Sequence, residues 1–140
     1  MDQLILAEKI ESLRRCIQRI EDKKPENINL LVQSLDLQDI LVLNLTRAVQ
    51  LCVDIGSHII SSANKPSPQT MGEVFTTLNE MGIIAPDTCE QLKKSIGFRN
   101  IAVHNYEAIN WEIVYAICQN SLQDFRRFAQ EISRYADLYQ

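Results

Sequence analysis

The sequence predicts an all-α protein, an up-and-down bundle of four main helices plus a short helix. Apolar residues recur at spacings of three and four along most of the chain, which is the period of an amphipathic helix. No segment has a strand pattern that rivals these periods. The four glycines and four prolines act as punctuation between the periodic segments. With 140 residues, the chain is expected to form a single helical domain over residues 1–140.

The first predicted helix covers residues 2–24, and Pro25 stands at or just after its end. Charged residues separate its apolar positions, so the helix should bury one stripe and expose the rest. The stripe consists of Leu6, Ile10, Leu13, Ile17 and Ile20.

A second helix should run to about Ser62, with a break near Ser34–Asp36 as an option. It is apolar on most sides, as expected of the central helix of a bundle. One row on this helix stays polar, and a charged row on the most buried helix is unfavourable unless something pairs with it. The row is therefore either a solvated face or the wall of a functional cleft. The buried seam is Leu41, Leu45, Ala48, Cys52, Ile55 and Ile59, and the polar row is Arg47, Gln50, Asp54 and His58.

A loop and a short helix come next. Residues 64–69 contain two prolines two apart and cannot continue a helix. Thr70 and Glu73 form a capping box, with the hydroxyl bound to the N3 amide and the carboxylate to the N-cap amide. The short helix should run to Met81 and be closed by Gly82.

Two more helices complete the predicted bundle. Pro86 fits the first turn of the fourth helix, where its missing N–H has no cost. Asn110 is the expected cap of a last, continuous helix. The expected inward residues are Cys89, Leu92, Ile96 and Val103 on the fourth helix and Ile113, Ile117, Leu122, Phe125, Phe128 and Ile132 on the last.

Charge limits the partners that the chain can bind. The net charge of −4 argues against broad electrostatic binding of nucleic acid. Residues 25–62 carry a local charge of −3, whereas residues 86–106 carry +1. A polyanion is therefore expected to meet the second stretch.

The cysteines and the N-terminus favour a cytoplasmic protein. The cysteines lie far apart with no C-x-x-C pair, so buried free thiols are expected rather than zinc sites or redox pairs. No apolar run approaches the roughly 20 residues of a membrane span, and no export signal is present. The cysteines are Cys16, Cys52, Cys89 and Cys118.

Chemistry can be placed in one dense segment, residues 98–106. Phosphate loops, nucleophile elbows and H-E-x-x-H motifs are absent, and two histidines are too few for a multi-histidine metal site. Asn100 and His104 are four apart, so the amide can orient the imidazole. Arg99 and His104 are about 140° apart on an ideal helix. Either the helix ends near His104, or the Arg and His of two chains meet across an interface.

An arginine and a histidine suffice for phosphodiester transesterification without a metal. The planar guanidinium suits the pentavalent phosphate, and an imidazole moves protons near neutral pH. It can take the proton of a ribose 2′-hydroxyl or donate one to the leaving oxygen.

The arrangement Arg99-Asn100-x3-His104-x-Tyr106 resembles the signature of HEPN-domain ribonucleases. More narrowly, it is similar to the HepT toxins of HEPN and minimal-nucleotidyltransferase toxin–antitoxin pairs. Size, helix order, the segment at residues 54–58 and the Pro-Ser-Pro loop extend the resemblance over essentially the whole chain. The resemblance implies a HEPN-like domain and a metal-independent endoribonuclease without a cofactor.

The resemblance also implies an assembly and roles for the motif residues. Two chains would form a homodimer in which the motifs face one another in a cleft at the interface. Arg99 and His104 would be catalytic towards RNA, and Asn100 would support them. Asp54 and His58 would line the cleft.

The resemblance further implies control by a cognate minimal nucleotidyltransferase antitoxin that transfers AMP from ATP to the Tyr106 hydroxyl. An anion two residues from His104 would fill the cleft and repel RNA phosphate. DNA and membranes are not expected partners.

Two other interpretations remain open from the sequence. The chain could be a non-catalytic, nucleotide-binding or substrate-presenting helical subunit of a two-component nucleotidyltransferase. Such a subunit needs Arg99 as a phosphate clamp but does not need His104 as an acid or base. Alternatively, the chain is a plain dimerisation bundle in which the motif is buried structure.

Overall fold

The computed structural model describes residues 2–138, and that part of the chain is helical throughout, without strands. The predicted all-α fold is thereby confirmed, with α1, α3, α5 and α7 as the four main helices. The elements are α1 (Gln3–Lys23), α2 (Ile28–Gln33), α3 (Leu35–Ser62), α4 (Met71–Glu80), α5 (Pro86–His104), a 3-10 helix (Tyr106–Ala108), α6 (Trp111–Asn120) and α7 (Leu122–Leu138).

Helix α3 is the centre of the bundle and contacts α1, α4, α5 and α7. Every residue of its predicted seam is buried, as is the predicted stripe of α1. By length and composition α3 could cross a membrane, but more than half of its most apolar stretch is buried inside the bundle. A core helix has the same composition, because neighbouring helices cover most of its sides.

The break before α3 falls at Ser34, within the predicted segment. Ser34 ends α2 with an extended backbone, and its hydroxyl accepts a hydrogen bond from the Leu37 N–H at 3.1 Å. One residue thus ends the short helix and caps the long one.

Helix α4 begins at the predicted cap, with one difference. The Thr70 hydroxyl accepts from the Glu73 N–H at 3.2 Å, but the Glu73 carboxylate accepts from the Gln69 N–H at 2.7 Å rather than from that of Thr70. The carboxylate reaches one residue further because Gln69 also presents a free amide there. Gly82 closes the segment at φ +76°, a conformation that favours glycine.

The N-terminus of α5 is held by a residue of α7. Ala85 has no side chain that can cap the helix, although Pro86 occupies its first turn as predicted. The Glu131 carboxylate accepts hydrogen bonds from the Ala85 N–H and from the buried Thr88 hydroxyl. A negative charge at this end also suits the helix dipole. This contact fixes the start of the helix that ends at the candidate site.

Three expectations for the last two helices are wrong. Val103 and Ile113 are 48% and 52% exposed, although both were expected inward. Their neighbours Ala102 and Val114 are buried instead, so each helix turns a different face to the core. The last helix is also divided at Ser121, where φ −110° and ψ −3° leave the helical range.

All four cysteines are buried free thiols, as predicted. Burial raises the pKa of each thiol, to about 12 for Cys118. They are therefore neutral core residues at physiological pH.

Gly56 allows α4 to approach α3 closely. A Cβ atom at this buried position would clash with Val74 and would lie 2.9 Å from the Leu78 Cδ1. Valine has little freedom to move aside, because its branched side chain is restricted at χ1.

Replacing Gly56→Ala should lower the free energy of unfolding by about 1–3 kcal/mol, since overpacking outweighs the better helix propensity of alanine. Gly72→Ala is the matched control. Its Cβ would meet only ordinary contacts at 3.9 Å, so it should raise stability by about 0.5–1 kcal/mol. Urea unfolding of both variants measures the difference, and equal effects would contradict the packing argument.

Candidate functional site

Helix α5 ends at His104, one of the two arrangements that the motif spacing allowed. The Asn105 N–H still donates to the Ile101 carbonyl, but the Asn105 backbone then leaves the helix at φ −152° and ψ 65°. Tyr106 opens the 3-10 helix that follows. His104 is therefore an exposed residue at a helix end.

Two amide oxygens hold the Arg99 guanidinium. Its Nη2 donates to the Gln50 Oε1 at 3.1 Å, and its Nη1 donates to the Asn100 Oδ1 at 3.2 Å. Its Nε is buried and has no hydrogen-bond partner among residues 2–138. Because both partners are neutral, the guanidinium is oriented without having its charge cancelled.

The same Gln50 side chain connects Arg99 to Asp54. The Gln50 Nε2 donates to the Asp54 Oδ1 at 2.9 Å, while its oxygen accepts from Arg99. The amide therefore separates the carboxylate from the guanidinium. Gln50 belongs to the polar row of α3, but sequence analysis gave it no role in the site.

The polar row divides into two parts. Arg47, Gln50 and Asp54 line one cavity between α1 and α3. His58 lies one turn further on, outside that lining, and its buried Nε2 has no partner in the described chain. The structure thus joins Asp54 to Arg99 through Gln50 but does not bring His58 to them.

Asn100 does not orient His104 as expected. Its side-chain oxygen accepts from Arg99, which is the adjacent residue. In the described part of the chain, no hydrogen bond joins the His104 imidazole to another group. The spacing of four made the Asn100–His104 pair possible, but Arg99 is a charged and therefore stronger donor.

Tyr106 is tied to α3 by Asp39. Its hydroxyl donates to the Asp39 Oδ1 at 2.8 Å, and its ring packs edge-on against Trp111 with centroids 6.2 Å apart. Burial and the neighbouring Asp39 carboxylate raise the pKa of Tyr106 to about 12. The hydroxyl is therefore protonated at neutral pH, although the residue is 41% exposed. Sequence analysis missed Asp39, and no spacing signal marks it.

No group of three or more His, Cys, Asp or Glu side chains that could hold a metal ion occurs within residues 2–138. The polar groups around the motif are instead one guanidinium, one imidazole, side-chain amides and two separate carboxylates. Such a set can bind an anion and move a proton.

Comparison with known families decides what this arrangement belongs to. The sequence matches the family described as Ribonuclease HepT-like over residues 8–132. The chain belongs to the HepT-like ribonuclease family.

Two HepT proteins are similar over nearly their whole length. The mRNA nuclease HepT of Shewanella oneidensis is 37% identical over 128 residues, which cover 91% of this chain and 96% of that protein. The tRNA nuclease HepT of Aphanizomenon flos-aquae is 28% identical over 137 residues, which cover 96% of this chain and 92% of that protein. The two relatives are named for different RNA substrates.

A solved structure agrees with the HepT-like assignment. The tri-AMPylated Shewanella oneidensis HEPN toxin, solved in complex with MNT antitoxin, superposes with a TM-score of 0.88 at 36% identity. The match covers 96% of this chain and 99% of that one. The predicted family and the predicted enzyme class, an endoribonuclease of a toxin–antitoxin system, are confirmed. The roles of individual residues remain predictions.

Proposed function

We propose that the chain cleaves RNA without a metal, as the toxin of a toxin–antitoxin pair, with Arg99 and His104 as its catalytic residues. The orientation of Arg99 by neutral amides carries this proposal. An arginine held by carboxylates would be a structural ion pair, whereas Arg99 keeps its charge for an anion. His104, at the exposed end of the same helix, adds a group that moves protons.

The two residues divide the work of transesterification. The 2′-oxygen attacks the phosphorus, and the bond from phosphorus to the 5′-oxygen breaks to give a cyclic phosphate and a free 5′-hydroxyl. Arg99 stabilises the charge of the pentavalent phosphate. His104 takes the 2′-hydroxyl proton or donates a proton to the 5′-oxygen. Asn100 supports the reaction by holding Arg99.

The working form in this proposal is a homodimer in which two motifs share one cleft. Arg99 is turned back against α3, whereas His104 is exposed, so the two side chains leave α5 in different directions. Ile101 and Val103, on the same turn, are 45% and 48% exposed. A second chain on this face would cover them and bring the second motif close.

In this proposal a cognate nucleotidyltransferase antitoxin silences the enzyme by adding AMP to Tyr106. The similar Shewanella toxin is tri-AMPylated and bound to MNT antitoxin, which supports this chemistry. Transfer removes the proton that Tyr106 donates to Asp39 and adds a negative charge beside that carboxylate. The bond between them must then open, and the phosphodiester moves away from Asp39 towards the cleft, where it repels RNA.

The remaining parts of the proposal concern the surroundings of the protein. The RNA is the substrate, no cofactor takes part, and the toxin works in the cytoplasm with its antitoxin. DNA and membranes are not partners.

His104→Ala should abolish RNA cleavage and leave the helical CD spectrum and the dimer intact, because the exposed imidazole serves chemistry rather than folding. Arg99→Ala should also abolish cleavage, and Arg99→Lys should recover little, since a point charge does not reproduce the guanidinium fork. Arg134→Ala, which removes an exposed arginine of α7, is the matched control and should cleave normally.

Cleavage of a labelled RNA by the chain purified without its partner provides the measurement. Undiminished cleavage by His104→Ala would overturn the assignment of that residue and favour a non-catalytic nucleotide-binding subunit. EDTA should have no effect, and a loss that magnesium restores would refute the metal-free mechanism. Recovery in mixtures of Arg99→Ala and His104→Ala chains would show that one site uses both subunits.

Incubation with ATP and the antitoxin should add the mass of AMP to the peptide that contains Tyr106, and cleavage should fall in proportion. Tyr106→Phe should stay active and resist silencing. Tyr115→Phe, whose hydroxyl donates to the Glu26 carbonyl at 3.0 Å, is the control and should still be silenced. A label confined to Tyr115, Tyr135 or Tyr139, the last outside the described residues, would contradict this proposal.

A further inference from the structure

A cavity of about 570 Å³ lies between α1 and α3, and we call it the arginine cleft. Its volume is in the range of small-ligand pockets. Three arginines line it, and a cysteine and a leucine supply its apolar lining. The lining residues are Ser12, Arg15, Cys16 and Arg19 of α1 and Asn44, Arg47, Gln50, Leu51 and Asp54 of α3.

The arginine cleft concentrates positive charge in a chain whose net charge is −4. Arg15 and Arg19 are four apart on one face of α1, and like charges at this spacing destabilise a helix by a few tenths of a kcal/mol. Arg47 faces them from α3. In the described chain, Arg15 has one ion pair, with Glu11 at 3.8 Å, and Arg19 and Arg47 have none.

The one carboxylate that lines the arginine cleft is already engaged. The Asp54 Oδ1 accepts from the Gln50 Nε2 at 2.9 Å. Three guanidinium groups therefore remain available to an anion, with Glu11 beside one of them. Such an arrangement does not help the fold by itself, which is a reason to look for a ligand.

The arginine cleft is continuous with the motif. Gln50 lines the cleft and also accepts the hydrogen bond from the Arg99 Nη2. A polyanion bound at Arg99 would pass directly along the wall formed by Gln50 and Asp54 towards Arg47. A chain of phosphates fits this path better than a single phosphate, because the arginines are spread over two helices.

We propose that the arginine cleft binds the phosphodiester backbone of the RNA beside the bond that is cleaved. This inference rests on the proposed ribonuclease function. It also revises the expectation that a polyanion must meet residues 86–106. The fold adds a second basic surface from α1 and α3 that local charge along the sequence did not reveal.

The test compares a cleft variant with a variant of equal charge. The cleft variant carries Arg15→Gln, Arg19→Gln and Arg47→Gln in the full chain. The control carries Arg14→Gln, Arg126→Gln and Arg134→Gln, which are exposed arginines outside the arginine cleft. KM and kcat for a labelled single-stranded RNA are measured over a range of salt, with CD to verify folding.

The cleft variant should raise KM by about 10-fold or more and leave kcat within about twofold. The salt dependence of log KM should fall by about 2, because each lost phosphate contact on a single strand contributes about 0.7. The control should change neither quantity beyond the effect of net charge. Restoring the charges as Arg15→Lys, Arg19→Lys and Arg47→Lys should recover most of the salt dependence.

Equal KM and salt dependence in the cleft variant and the control would overturn the inference. So would a loss of kcat at unchanged KM, because the arginine cleft would then act on chemistry or structure rather than on binding. A loss of AMP transfer to the chain with unchanged KM for RNA would assign the cleft to the antitoxin reaction and also contradict it. If the wild-type chain does not cleave RNA, the proposed function fails before this test applies.

Discussion

The side-chain amide of Gln50 connects the two helices that build the candidate site. Its oxygen accepts from Arg99 on α5, and its nitrogen donates to Asp54 one turn along α3. An amide can do both because it is donor and acceptor at once and carries no charge. The orientation of Arg99 therefore depends on where α5 lies against α3. That position is set further away, by the close packing at Gly56 and by the Glu131 carboxylate at the start of α5.

Charge explains why an amide suits this position better than a carboxylate. A glutamate would form an ion pair with Arg99 and compete with phosphate for the guanidinium. It would also meet the Asp54 carboxylate at hydrogen-bond distance, which like charges oppose. Asp39 has the opposite role at Tyr106, where a carboxylate holds a neutral hydroxyl. The fold thus keeps its negative charges one bond away from the arginine on which the proposed chemistry depends.

The sequence predicted the helices well because their apolar period is local information. The stripe of α1 and the seam of α3 are fully recovered, whereas Val103 and Ile113 are exposed. Those two residues lie near helix ends, where a period indicates an apolar position but not whether a neighbour covers it. The motif residues could be found because they are contiguous. The Arg99–Gln50 and Tyr106–Asp39 bonds join residues 49 and 67 positions apart, and one sequence carries no signal for such pairs.

The most direct test of this account is the RNA cleavage rate of Gln50→Glu. This variant keeps the length of the side chain and an oxygen for Arg99 but replaces the neutral partner with a charged one. Gln33→Glu, at an exposed position at the end of α2, makes the same change in net charge and serves as the control. We expect Gln50→Glu to lower kcat/KM by about 10-fold or more with the helical CD spectrum unchanged, and the control to cleave normally. Wild-type cleavage by a folded Gln50→Glu protein would contradict the claim that Arg99 must be held without losing its charge.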